Sequence, residues 1–269
     1  MEDVLTEIPP PSRFFQEDLN NFIPPPPSLP TPFLLFSDPY ATKILHPSIL
    51  IIAISPSSLQ IFHRVSAKTL IGTLVLPEIP FSGNSIKASL KDKSCNIYSL
   101  NDSEKLVCII SVQCSVPAER SHVVSKLLLG GQIFPERVLI LDSIQSQNFR
   151  SKLSWDETLA YKLETSSERK EFNSGHGGSS LLKDVDYFPS GSVVDGLAAA
   201  LLARCQILNI KGTLHLSWPK FGTSVILLLR SLLLNDVLAG LEFGSNGDYE
   251  DQHFNSGWKD PLVDAELYT

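Results

Sequence analysis

The run Ile49-Leu50-Ile51-Ile52-Ala53-Ile54 is apolar without a break, the pattern of a strand buried on both faces. Ser55-Pro56-Ser57 reads as a turn. After it Leu59-Gln60-Ile61-Phe62-His63 alternates as a strand with one wet face would. Residues 69–76, 95–100 and 106–112 are three further strand candidates. Pro117 followed by Glu119 opens a helix, because proline and an acid are tolerated in a first turn, and Val123, Val124, Leu127 and Leu128 form its apolar stripe. Gly130-Gly131 ends it, and residues 137–141 return as a strand. The order strand, helix, strand is a βαβ unit.

Residues 143–191 are mostly polar, with a Ser/Gly-rich stretch at 173–180, and read as a long excursion holding a flexible loop at about 170–182. A helix is expected from Val193 to about Leu208, with Ser192 and Asp195 at S-x-x-D capping spacing. Residues 213–217 form another strand. Residues 223–238 form a last helix, apolar over much of its circumference and so expected to be buried against the sheet and a second surface, such as another subunit. Strands alternating with helices predict an α/β/α sandwich with a mixed, largely buried sheet.

The ends of the chain differ from this middle. Of the 19 prolines, 11 fall in the first 47 residues, including Pro9 to Pro11 and Pro24 to Pro27. Residues 1–47 therefore read as an extended, disordered arm of polyproline character. Phe14, Phe15, Phe22 and the group Phe33-Leu34-Leu35-Phe36 punctuate it. Such residues either pin an arm or dock a partner, and pinning fits 33–36. Residues 242–269 read as a disordered acidic tail, which leaves 48–241 as the folded domain. The net charge of −7 sits at the ends: residues 1–47 hold 2 basic and 6 acidic residues, and 242–269 hold 1 and 7. With 19 basic and 16 acidic residues between them, no basic stripe is available for a phosphate backbone, which argues against nucleic-acid binding.

Cys95, Cys108, Cys114 and Cys205 lie in or beside apolar runs without metal or redox spacing and read as buried free thiols of a reducing compartment. The start MEDVLTEIPPPSRFF lacks the features of a secretory signal. The stretch Val225 to Leu234 is about half the ~20 residues of a membrane span. A cytosolic or nuclear protein is expected, with association to the endoplasmic reticulum left open, and the sequon at Asn101 is expected to be unglycosylated.

The search for chemistry yields structural readings. Gly175-His176-Gly177-Gly178-Ser179-Ser180 has glycines but no P-loop lysine, and the G-x-G-x-x-G and G-x-S-x-G patterns do not occur at strand-to-helix turns. His46, His63, His122, His176, His215 and His253 are scattered without metal-ligand spacing. Asp184 and Asp186 beside Tyr187 are a carboxylate pair in a loop, read as solvated. The helix start at Ser190 to Asp195 could hold an anion, but capping by Ser192 is the simpler reading. Trp155 and Trp218 read as anchors and Trp258 as a contact in the tail. The residues support no catalytic, metal or cofactor site.

The final residues are different. Leu267-Tyr268-Thr269 places an apolar side chain, a phenol and an α-carboxylate on a flexible acidic tether, a ligand for a groove with a buried lysine. The stretch LVCIISVQCSVPAERSHVVSKLLLGGQIFPERVLIL at 106–141 resembles the central strand, helix, strand block of the proteasome assembly chaperone 1 family. VVDGLAAALLARCQILNIKGTLHLSW at 193–218 resembles its second block, and the ending resembles its hydrophobic-Tyr-X terminus. The resemblance implies a non-enzymatic chaperone paired with assembly chaperone 2 on the outer face of the 20S α-ring. It further implies that Leu267, Tyr268 and Thr269 enter a pocket between α-subunits, the Thr269 carboxylate on a lysine. The proline-rich arm and the Ser/Gly loop have no clear equivalent in the family, which implies a lineage-specific form of plant type. The alternative is an α/β enzyme of phosphorylase or hydrolase type, because the same architecture carries many enzymes. Convergent titratable groups at the C-terminal ends of the strands would favour it.

Overall fold

The computed structural model describes residues 30–80, 82–85, 89–100, 106–154, 156–173 and 181–238, without the side chains of 171–173 and 236. The strands are β1 (Phe33–Phe36), β2 (Ile49–Ala53), β3 (Lys68–Val75), β4 (Cys95–Leu100), β5 (Val107–Val112), β6 (Arg137–Ser143), β7 (Leu159–Glu164), β8 (Asp186–Tyr187) and β9 (Lys211–Trp218). The helices are α1 (Pro56–His63), α2 (Ala118–Leu128), α3 (Ser166–Asn173), α4 (Gly196–Ile207) and α5 (Thr223–Asp236). One sheet takes in the nine strands in the order β1-β3-β4-β5-β2-β6-β9-β7-β8. Its centre, β5-β2-β6-β9, is parallel. Antiparallel pairing adds β4, β3 and β1 on one side and β7 on the other.

Alternation along the central strands divides the core in two. Leu50, Ile52, Cys108, Ile110, Val138 and Ile140 point to one face, where Val124 and Leu128 of α2 and Leu201 and Cys205 of α4 meet them. Ile51, Ala53, Ile109, Leu139 and Leu141 point to the other, under Leu59 and Phe62 of α1 and Ile226, Leu229 and Leu233 of α5. Because helices cover both faces, these strands carry apolar side chains at successive positions. The expected α/β/α sandwich is the fold observed. The C-terminus of α2 also follows its sequence signal: after the cap residue Leu129, Gly130 takes φ +102, a conformation glycine adopts without steric cost.

Three local expectations are corrected. Residues 59–63 are not a strand but the body of α1, whose N-cap Ser55 accepts a hydrogen bond from the Ser58 amide, with Pro56 at the first helical position. Both signals outweigh five residues of alternation. The polar excursion 143–191 contains β7, α3 and β8. Helix α4 begins at Gly196 rather than Val193, and Asp195 at its N-cap makes no side-chain capping bond. The expected pinning of Phe33-Leu34-Leu35-Phe36 takes the form of an edge strand, antiparallel to β3. The pairing is close because Gly72, at a register shift in β3, has no side chain: a Cβ there would lie 2.6 Å from Phe36 Cδ1 and 2.7 Å from the Leu35 carbonyl oxygen.

Candidate functional site

The C-terminal ends of the parallel strands are where ligands bind in open α/β sheets. At this end of β6, Asp142 and Ser143 line a shallow recess with Gln145, Phe188, Val194 and Asp195. Its room, about 10 Å³, is that of a single water. Asp142 Oδ1 accepts a hydrogen bond from the Ser143 amide at 2.8 Å. Burial nevertheless pushes the Asp142 carboxyl up to about 6, and the charge of Asp195 acts in the same direction; the Ser143 amide and Lys220 oppose them. A carboxyl so poised exchanges a proton near neutral pH, which is the chemistry this recess can offer.

Ser192 and Asp195, expected as a helix cap, instead hold the loop after β6. The Ser192 hydroxyl accepts from the Arg150 amide at 3.0 Å, Asn148 Nδ2 donates to Asp195 Oδ2 at 2.9 Å, and the Val193 amide donates to the Asn148 carbonyl at 2.9 Å. These bonds draw residues 192–195 away from helical geometry, which is why α4 starts late. Asp142 was not singled out by sequence reasoning, although a lone acid closing the run Val138-Leu139-Ile140-Leu141 was the available signal.

The other candidates are structural. His46 is exposed and stacks on Phe134 with ring centroids 5.9 Å apart. His63 ends α1, where burial lowers its pKa. His122 lies in α2, and His215 is fully buried in β9. Asp186 and Tyr187 form the short edge strand β8, in which the Tyr187 hydroxyl donates to Glu164 Oε2 at 2.5 Å. Trp218 anchors the loop before β7 by donating from Nε1 to the Ser154 carbonyl at 2.8 Å. All four cysteines are buried and free. Burial raises Cys114 to about 11 and Cys108 and Cys205 to about 12, and it raises Cys95 as well. Such thiols stay protonated and unreactive at neutral pH. Among the described residues no cluster of three metal-ligating side chains occurs, and no helix is long and apolar enough to cross a membrane.

The expected docking residues Leu267, Tyr268 and Thr269 lie outside the described residues, as do Trp155, Trp258, His176, His253, the glycine-rich stretch 174–180 and residues 1–29. What the described surface offers a partner is apolar. Helix α5 buries Val225, Ile226, Leu229 and Leu233 and turns Leu227 outward, 49% exposed, with Phe221 just before the helix 42% exposed. On the edge strand β1, Phe33 and Leu35 are also exposed.

No protein-family model matches the chain, and no curated protein sequence does. Solved structures do. The monoclinic form of Pyrococcus furiosus PbaA, an archaeal homolog of proteasome-assembly chaperone, superposes with a TM-score of 0.53 at 16% identity, over 79% of this chain and 86% of that one. A further PbaA crystal structure gives a TM-score of 0.52 at 14% identity, over 75% and 85% of the two chains. A protein of unknown function from Thermoplasma acidophilum gives 0.53 at 12% identity, over 73% and 78%. The likeness is one of fold. It runs through most of both chains, so the shared unit is the whole sandwich rather than a single βαβ segment.

Proposed function

We propose that this chain is a non-catalytic chaperone of 20S proteasome assembly. It pairs with a related chain, assembly chaperone 2, and acts on the α-ring, where Leu267-Tyr268-Thr269 enters a pocket between adjacent α-subunits. The observation that carries this reading is the fold likeness to PbaA over most of both chains. It is supported by the apolar outward residues Leu227 and Phe221, which suit a paired domain. The working location is the cytosol or nucleus, and the proline-rich arm belongs to a lineage-specific form.

Co-expression with 20S α-subunits tests the reading through the tail. A charge-assisted bond is worth roughly 1.5–3 kcal/mol, so removing residues 267–269 weakens binding to α-ring intermediates by about ten- to a hundredfold. Tyr268→Ala, or one residue appended after Thr269, weakens it as well, with thermal stability unchanged. Binding undiminished by all three changes would remove the tail from the mechanism.

The enzyme alternative has one observation in its favour, the Asp142 carboxyl held at about 6 beside Asp195. The recess around it has the room of one water, far short of the several hundred Å³ typical of substrate pockets.

A further inference from the structure

The helix-covered face that carries α1 and α5 is aliphatic on β2 and β6 but becomes polar on β9 and β7. On β9, Thr213, His215 and Ser217 alternate with Leu214 and Leu216, a pattern that in sequence suggests one wet face. Yet Thr213 and His215 are 0% exposed and Ser217 is 1% exposed. Neither ring nitrogen of His215 has a hydrogen-bond partner among the described residues, and neither does the Thr213 hydroxyl. Native proteins rarely leave such groups unpaired, because each keeps the full cost of its desolvation.

Residues 181–187 join the apolar core of this face and are tied to α3 and β7: the Leu181 amide donates to Glu168 Oε1 at 3.5 Å, and Asp186 and Tyr187 pair with Tyr161 and Lys162 of β7. Leu181, Leu182 and Val185 are buried within it. The ammonium of Lys162, directly opposite His215 in the β7–β9 register, donates to the Leu182 carbonyl at 3.0 Å and pairs with Glu164 at 3.0 Å. Tyr187 closes the segment on the same Glu164. Leu182 takes φ +59, a left-handed conformation that strains a leucine. Burial of three apolar side chains favours closure; a strained backbone, a buried ion pair and the unpaired polar groups of β9 oppose it.

We propose that residues 181–187 form a strap that opens locally, hydrating the polar layer of β7 and β9 while the parallel centre of the sheet stays intact, and that acid promotes this opening. The charged groups on the surrounding elements are Lys162 and Glu164 of β7, Arg137 of β6, Lys211 of β9, Glu168, Arg169 and Lys170 of α3, Lys183, Asp184 and Asp186 of the strap, and Arg230 of α5. Lys162 pairs with Glu164 and Arg137 with Glu168. A proton added to His215 places a charge where burial leaves it without solvent or a hydrogen-bond partner. Burial lowers His215 from 6.5 to about 4 in the closed state; once open, the imidazole regains its ordinary value. A histidine depressed in this way supports closure fully above pH 6.5, and that support is lost as pH falls toward 4. Between pH 7 and 5.5 the opening constant therefore rises about eightfold.

Amide hydrogen exchange of the intact protein, corrected for intrinsic rates at each pH, reads this directly. The reporters are the amides of Val185, bonded to the Leu182 carbonyl, and Phe188, bonded to the Lys162 carbonyl. The expected result is strap protection below that of β5 at pH 7, falling about eightfold further by pH 5.5, and a flat pH response in His215→Leu. Strap protection equal to that of β5, or independent of pH in the wild type, would overturn the proposal.

Discussion

Replacing Asp142 by asparagine is predicted to stabilise the protein at neutral pH and to leave it unchanged in acid. The carboxyl is raised from 3.8 to about 6, with burial the largest cause. A carboxyl raised on folding binds more protons in the native state than in the unfolded chain. Stability therefore falls as pH rises from about 4 to about 6, and the loss is complete above 6. The gap of roughly two units corresponds to about 3 kcal/mol as an upper bound. Asp142 is only part-buried, so solvent screening reduces this to about 1–2 kcal/mol. Asparagine keeps an oxygen for the Ser143 amide and removes the charge, so Asp142→Asn gains that amount at pH 7.5, a rise in Tm of about 2–8 °C for a domain of this size. At pH 4 the two proteins should melt together. Urea unfolding at both pH values, with the m-value checked for constancy, measures the difference. A variant less stable than wild type at pH 7.5, or a gain equally large at pH 4, would refute the placement of Asp142. A charge kept at a net cost to stability is what a residue retained for function looks like, so the same variant belongs in every binding assay.

Phe62→Ala, which empties a fully buried site under α1, should cost about 3–5 kcal/mol in urea unfolding; a loss under 1 kcal/mol would contradict the placement of α1. Gly72→Ala drives a Cβ against Phe36 and the Leu35 carbonyl and should cost about 1–3 kcal/mol, with amide protection lost in β1 before β3. The four thiols should resist a thiol reagent at pH 7.5 in the native protein and react together in denaturant, whereas rapid native labelling would contradict their burial. Expressed alone, the protein should self-associate through α5, and Leu227→Glu should reduce this; a monomer at high concentration in the wild type would remove that face from the account.

The parallel centre of the sheet was legible because β2, β5 and β6 are covered on both faces and must be apolar at nearly every position. Helix α2 was legible through Pro117, its valine and leucine stripe, and the glycines after it. Helix α1 was read as a strand because five residues of alternation were weighed above Ser55 and Pro56, which are start signals as well as turn formers. The strand β7 hid in a polar segment because its apolar alternation, Leu159, Tyr161 and Leu163, is short and its other face carries Lys162 and Glu164, buried as an ion pair. The polar layer of β9 hid for the opposite reason: Thr213, His215 and Ser217 alternate as solvated residues do, yet all three are buried. The recess at Asp142 depends on segments held together by the Asn148–Asp195 bond, whose partners stand 47 positions apart, which local pattern cannot reveal.

The most direct test of the account is native mass spectrometry of the purified chain, co-expressed with assembly chaperone 2 and 20S α-subunits. The account predicts a complex that holds one copy of each chaperone on an α-ring or its precursor, and loss of that complex when residues 267–269 are removed. α-Subunits that assemble to the same extent without this chain, and never appear in a complex with it, would contradict the assignment as a proteasome assembly chaperone.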